Sequence, residues 1–213
     1  MTFGTSQRPW KRLFDLGVAT TAVAVLLPLL VLISIAVRLS SPGPIFFHQI
    51  RSGMGGRPFR VMKFRTMTAD TRTVPGHETL ADDSHITAVG RVLRRSGLDE
   101  LPQLFNVLAG QMSIVGPRPL LQWENDACDA RQRKRLEVRP GLTGLSQVMG
   151  RNRIPWEQRV EWDVRYVEHQ SLWLDLKICL KTVPIVLFGR DAYPPPESGG
   201  IVPVAKDVRT VPV

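Results

Sequence analysis

The sequence has 213 residues, with 28 lysines and arginines against 19 acids, a formal net charge of +9 and a pI of about 10.4. That length allows one domain with at most an appendage, and it is enough to bury a core. The charge balance points to anionic partners, whether nucleic acid, anionic lipid or phosphorylated substrates. Two distant cysteines, Cys128 and Cys179, argue against a disulfide framework and against a thiolate metal site.

The first element is an apolar run. Residues 16–37 carry no charge over 22 positions. As one straight helix they would rise about 33 Å, enough to cross a bilayer core. The run is longer than the apolar part of a signal peptide, and no A-x-A-like site follows it. Lys11 and Arg12 precede it; Arg38, Arg51, Arg57, Arg60, Lys63 and Arg65 follow it. Positive flanks stay cytoplasmic, and a single span would export one of these two. Pro28 divides the run, and proline favours a kink. Each half is about 14–18 Å long at the helical rise. On these residues alone, a re-entrant helix and a kinked spanning helix are equally good readings.

Next comes a breaker cluster at 40–44, then two short strands at 45–49 and 59–65 around the Gly-rich turn 52–56. Residues 68–86 are polar and aperiodic and read as a loop. Helical stretches are expected at 89–93, 101–108 and 121–136, with Gly110 suited to a helix C-terminus. Residues 113–119 form a stiff connection and 138–144 a loop. Residues 156–188 read as largely helical with a break near 170–171. Trp156, Trp162, Tyr166 and Trp173 fit either a core or a membrane interface. The expected class is α+β, mostly helical. A proline-broken membrane helix occupies residues 1–40 and a catalytic domain residues 41–190, with interfacial amphipathic helices. A loosely ordered tail follows at 191–213.

The candidate chemistry lies at residues 94–106, RRSGLDELPQLFN. Asp99 and Glu100 would open a helix capped by Ser96, with Pro102 in its first turn, where acids suit the macrodipole. That is a complete structural account. Yet Arg94 and Arg95 precede the pair, and an aspartate among cations stays ionised. Ionised, it can attack phosphorus or ligate Mg²⁺. Lys63 and Arg65, two apart on a strand, would share one face and could hold a diphosphate. Arg118, between two prolines, is stiffly placed. The basic run Arg131, Arg133, Lys134, Arg135 and Arg139 reads as a solvated face or a lipid contact. Arg139 and Arg151 also sit in glycine-flanked loops that could admit a phosphate.

Taken in order, these pieces resemble the bacterial sugar transferase family, the monotopic phosphoglycosyl transferases. The resemblance runs from about residue 10 to about residue 188. It rests on KRLFD at 11–15, KFRTM at 63–67, LDELPQLFNVLAGQMSIVGPRP at 98–119, RPGLTG at 139–144, QVMGRN at 147–152 and DLKI at 175–178. It implies transfer of a sugar 1-phosphate from a UDP-sugar to polyprenyl (undecaprenyl) phosphate, with release of UMP. It implies Asp99 as the nucleophile, forming a covalent phosphosugar-aspartate, and as a Mg²⁺ ligand. Glu100 would handle a proton or orient the acceptor phosphate. Lys63, Arg94 and Arg118 would stabilise phosphates, with Arg139, Arg151 and Asp175 as further candidates. The resemblance also implies the re-entrant form of the membrane helix, bent at Pro28. It places the enzyme on the bacterial inner membrane with the catalytic domain facing the cytoplasm. The larger members carry further membrane helices ahead of this domain, and the likeness here is to the small ones.

Two positions depart from the family pattern. Leu27 stands where a serine often precedes the proline, and a hydroxyl there could satisfy a freed carbonyl. Leu145 stands where an aromatic is common. Two rival readings follow from charge alone. A membrane-anchored scaffold on anionic lipid would make the carboxylate pair expendable. A nucleic-acid binder needs aromatics interleaved with cations on an exposed face, whereas the 7% aromatic content gathers elsewhere, so no nucleic-acid partner is expected.

Overall fold

The structure is a computed structural model that describes residues 9–68, 85–150 and 154–188. Helix α1 runs from Pro9 to Ser40, 32 residues with Pro28 inside it. It is long and apolar enough to cross a membrane. Pro28 has no N–H to give the Ala24 carbonyl, yet the helical assignment continues through it. Two bands of α1 are buried, Lys11, Asp15 and Ala19 near its start and Leu30, Ile33 and Val37 near its end. Their spacing of three and four is the helical period. Leu13, Val25, Leu27, Val31, Leu32, Ile35 and Leu39 point away and are exposed.

Both bands pack on the rest of the chain. The first joins a core with Leu104, Val107, Met112, Val115, Tyr166 and Ile178. The second joins Phe64 and Leu93. Each end is also held by hydrogen bonds. Arg12 donates to the carbonyls of Val107 (2.6 Å) and Leu108 (2.9 Å). At the other end, Arg65 donates to the carbonyls of Ser41 (2.7 Å), Val37 (3.4 Å) and Pro42.

Strands β1 (Phe46–Ser52) and β2 (Pro58–Phe64) form an antiparallel hairpin in which Phe47 faces Lys63 and Arg51 faces Phe59. β-Branched and aromatic residues, Phe46, Phe47 and Ile50 on β1 and Phe59, Val61 and Phe64 on β2, favour the extended backbone. Helix α2 (Ala88–Ser96) docks directly on the chain after β2. A Cβ added at Gly90 would lie 2.0 Å from the Thr66 carbonyl oxygen, so only glycine allows this approach. The Thr87 hydroxyl caps α2 by accepting from Gly90 N at 2.9 Å.

Gly97, at φ 71°, ends α2 in the left-handed region. Leu98–Glu100 then forms a single 3₁₀ turn before α3 (Gln103–Leu108). Ser96 is therefore not a cap for the carboxylate pair. It closes α2, donating back to the carbonyls of Val92 and Leu93. The intervening glycine is the reason the two helices separate.

Strands β3 (Ser113–Val115) and β4 (Gly141–Thr143) pair in parallel. They cross so closely that a Cβ on Gly141 would lie 2.1 Å from Gly116 N. This contact sets the Pro117–Pro119 segment beside the Arg139–Pro140 turn. The helix expected over 121–136 is broken into α4 (Gln122–Asp126) and a 3₁₀ helix at Gln132–Glu137. Helix α5 (Leu145–Met149) follows, then α6 (Trp156–Glu168) and α7 (Leu172–Phe188), which part where a break was expected. Trp156 and Tyr166 are core residues, whereas Trp173 is exposed on α7 beside Leu172, Leu176 and Leu180. Most of the loop at 68–86 and the tail after 190 lie outside the described residues. The class is mostly helical with two small sheets.

Candidate active site

The 3₁₀ turn after Gly97 presents Asp99 and Glu100 at the open end of α3. Its neighbours come from three directions. Lys63, near the end of β2, places Nζ 2.6 Å from Glu100 Oε1. Arg118, from the segment after β3, places Nη2 3.2 Å from the same oxygen. Arg94, from the last turn of α2, donates from Nε to the Thr66 hydroxyl at 2.9 Å and pulls electrostatically on Asp99. The turn thus sits among three cations from distant parts of the chain.

The two carboxylates are not equivalent. Burial works against ionisation of Glu100, but Lys63 and Arg118 outweigh it and hold its carboxyl well below the usual range. Arg118 is held protonated in return, chiefly by Glu100. Asp99 makes no side-chain hydrogen bond among the described residues. Burial pushes its carboxyl up to about 6 against the pull of Lys63; the Glu100 charge adds to the rise, while Arg94 and Arg118 oppose it. Desolvation is the largest influence, the cations offset part of it, and the carboxyl stays below neutrality.

Other expected site residues lie elsewhere. Arg65 does not share a face with Lys63, because β2 ends at Phe64 and Arg65 turns under the C-terminus of α1. Arg139 donates from Nε to the Gly110 carbonyl (2.6 Å), beyond the C-terminal end of α3 and opposite to the carboxylates. Asp175 is fully buried in a second network. Its Oδ2 lies 3.0 Å from Lys11 Nζ and its Oδ1 accepts from Tyr166 OH at 2.8 Å. Lys11 also pairs with Asp15 at 2.7 Å, and Asp15 accepts from Ser113 Oγ and Ile114 N. This network ties α1 to β3, α6 and α7. Arg151 lies outside the described residues.

Three supporting residues were not singled out from sequence. Asn106 on α3 grips β2 in the manner of a neighbouring strand: its Oδ1 accepts from Met62 N (3.0 Å) and its Nδ2 donates to the Arg60 carbonyl (2.7 Å). That fixes the strand carrying Lys63 against the helix that follows the carboxylates. Arg51 donates to Gln49 Oε1 at 2.7 Å and to the Pro119 carbonyl at 3.3 Å. Burial and the nearby Arg118 charge lower the Arg51 pKa to about 10. Arg135, expected on a solvated face, is buried against Asp163. Asn106 meets Met62 across 44 positions and Arg51 meets the Pro119 carbonyl across 68, separations that leave no local signal in the sequence.

A family model for bacterial sugar transferases matches residues 6–189. The chain belongs to the bacterial sugar transferase family. Among its relatives is a UDP-glucose:undecaprenyl-phosphate glucose-1-phosphate transferase of Caulobacter vibrioides, 44% identical over 191 residues, covering 86% of this chain and 72% of that protein. The uncharacterized sugar transferase EpsL of Bacillus subtilis is 46% identical over 177 residues, covering 83% and 87%. The exopolysaccharide production protein ExoY of Sinorhizobium fredii is 41% identical over 198 residues, covering 86% and 88%. This sugar transferase is thus an enzyme of the phosphoglycosyl transferase class.

A divalent cation fits the transferase site in one way. Among the described residues no group of three His, Cys, Asp or Glu forms a protein-only cage. Mg²⁺ commonly takes one or two carboxylates and completes its shell with substrate phosphates and water. The Asp99 carboxylate, without a hydrogen-bond partner among the described residues, is the group suited to that role.

Proposed function

We propose that this enzyme transfers a hexose 1-phosphate from a UDP-sugar to undecaprenyl phosphate. The products are UMP and an undecaprenyl-diphosphate sugar, the first membrane step of a surface glycan. The single observation that carries the mechanism is the division of the carboxylate pair. Glu100 is engaged by Lys63 and Arg118, whereas Asp99 is ionised at neutral pH and has no hydrogen-bond partner among the described residues. The activity of the Caulobacter vibrioides relative, a UDP-glucose:undecaprenyl-phosphate glucose-1-phosphate transferase, supports the substrate classes.

In the first half-reaction an Asp99 oxygen attacks the phosphorus that bears the sugar. The bond from that phosphorus to the UMP oxygen breaks, and its electron pair leaves with UMP. In the second, an oxygen of the acceptor phosphate attacks the same phosphorus. The bond to Asp99 breaks and the carboxylate is restored. Both steps need charge neutralisation and alignment more than proton traffic. Lys63, Arg94 and Arg118 supply the cations. Glu100, held ionised, orients Lys63 and Arg118 rather than carrying a proton. Bound Mg²⁺, with Asp99 and the donor diphosphate as ligands, would add Lewis-acid neutralisation of the phosphate oxygens.

The acceptor is a lipid, and the fold supports a site at the headgroup layer. Both ends of α1 are hydrogen-bonded to the same domain. A spanning helix would part its ends by about 30 Å of hydrocarbon, so the re-entrant form, with the domain on the cytoplasmic face of the inner membrane, is the better account. Outward Leu172, Trp173, Leu176 and Leu180 on α7, with Lys177 over the Trp173 ring at 5.1 Å, suit an interface with anionic headgroups. The test is UMP release from UDP-glucose and other UDP-hexoses with Mg²⁺ and undecaprenyl phosphate. Release with none of them would contradict the proposal.

A further inference from the structure

We infer that Arg135 is a positioning residue for Arg118: its buried guanidinium fixes the backbone from which the phosphate-facing cation projects. This rests on the reading that Arg118 meets the donor phosphate.

Arg135 does not behave like its neighbours in the basic run. Arg131 and Lys134 form surface pairs with Glu161 and Glu168. Arg135 is 3% exposed. Its Nη2 donates to the Arg118 carbonyl at 2.5 Å and to Asp163 Oδ2 at 2.6 Å, and its Nη1 donates to Asn125 Oδ1 at 3.1 Å. Asp163 is steadied in turn by the Ser146 hydroxyl at 2.7 Å. The planar fork thus joins α4, α5 and α6 at one point behind the active site. Burying such a pair brings little stability over apolar packing of the same volume, so its use lies in placement.

The segment it holds has an unusual need. Pro117 and Pro119 have no N–H, so this stretch is fixed mainly through its carbonyls. Four in succession accept a bond. Pro117 takes Gly141 N at 2.9 Å, Arg118 takes Arg135, Pro119 takes Arg51 at 3.3 Å, and Leu120 takes Ser52 N at 2.9 Å. Arg135 acts at the second residue of this ladder, Arg118 itself. The Arg118 side chain, 43% exposed, leans on Glu100 through one nitrogen and keeps its remaining donors for a ligand.

The test is a double-mutant cycle on the full-length enzyme in detergent, reading kcat/KM for the UDP-sugar in R118K, R135K and the pair, with thermal unfolding of each. Misplacement of about 1 Å can cost about a hundredfold in rate. R135K is expected to lose roughly tenfold to a hundredfold on that basis. In the R118K background the same change should cost nothing further. Losses that multiply, or an R135K enzyme with wild-type kcat/KM, would overturn the inference. An R118K enzyme with unchanged kcat/KM would instead overturn the phosphate role of Arg118, and this inference with it. If R135K does not fold, N125A, which removes one hydrogen bond to Arg135, carries the same cycle. It should give a few-fold loss in the wild-type background and none in R118K; any other pattern overturns the inference.

Discussion

Lys63 Nζ lies 2.6 Å from Glu100 Oε1, while the adjacent Asp99 carboxylate has no hydrogen-bond partner among the described residues. Two neighbouring acids on one 3₁₀ turn therefore have different surroundings: Glu100 pairs with Lys63 and Arg118, and Asp99 makes no such pair among the described residues.

The pH dependence of activity should report this division. With Asp99 at about 6, kcat/KM for the donor should fall as pH drops through that value, because only the carboxylate attacks. Lys63→Met removes the largest cationic pull on Asp99, so its acid limb should move to higher pH. Glu100→Gln removes an anion that raises Asp99, so its limb should move to lower pH. Profiles between pH 5 and 8 for the three enzymes check both signs.

The buried network at the start of α1 should be unequal in its parts. Lys11 is the cation shared by Asp15 and Asp175, all three at 1% exposure or less. Lys11→Met strands two buried carboxylates and should cost about 3–5 kcal/mol, as removal of one partner from a buried pair does. Asp175→Asn keeps a group able to accept from Tyr166 and lowers the buried negative charge, so it should cost less. Thermal unfolding in detergent ranks the two.

Asn106 should be intolerant of aspartate. Its Nδ2 donates to the Arg60 carbonyl and to Gln111 Oε1, both at 2.7 Å, and a carboxylate there would face two acceptors. Asn106→Asp should destabilise by more than the ~1–3 kcal/mol of a single unmet buried group. Asn106→Ala should fall within that range. Denaturant unfolding measures the difference, and Lys63-dependent activity should fall with it.

The topology of α1 has its own check. Cysteines in place of Gln7 and Pro44, in a chain with Cys128 and Cys179 changed to serine, should both react with an impermeant thiol reagent only from the cytoplasmic side. Reaction of the two from opposite sides would establish a spanning helix.

Much of the site could be read from the chain because its residues cluster in short motifs. Lys63, Asp99, Glu100 and Arg118 fall in the short motifs that carry the family resemblance, Arg94 precedes the carboxylate pair, and the fold brings the five together. What escaped reading depends on where β2 stops and which face of a short helix turns inward. Arg65 lies one residue past the strand, so its face reverses. Arg135 looks like its exposed neighbours until Asp163 and the Arg118 carbonyl close over it. Ser96 suits an N-cap by residue type, but Gly97 in the left-handed region ends α2 and leaves Ser96 bonded back to Val92 and Leu93. The places of Arg65 and Arg135 are set by tertiary contacts across 17 to 28 positions, which local propensity does not encode.

In the proposed mechanism Asp99 becomes covalently attached to the sugar phosphate, and labelling tests this step directly. Full-length enzyme with Mg²⁺ and a UDP-sugar radiolabelled in the sugar, without acceptor, should acquire acid-stable label and release UMP. Undecaprenyl phosphate should then discharge the label, and Asp99→Asn should acquire none. An Asp99→Asn enzyme that is labelled or turns over like wild type would rule out Asp99 as the nucleophile.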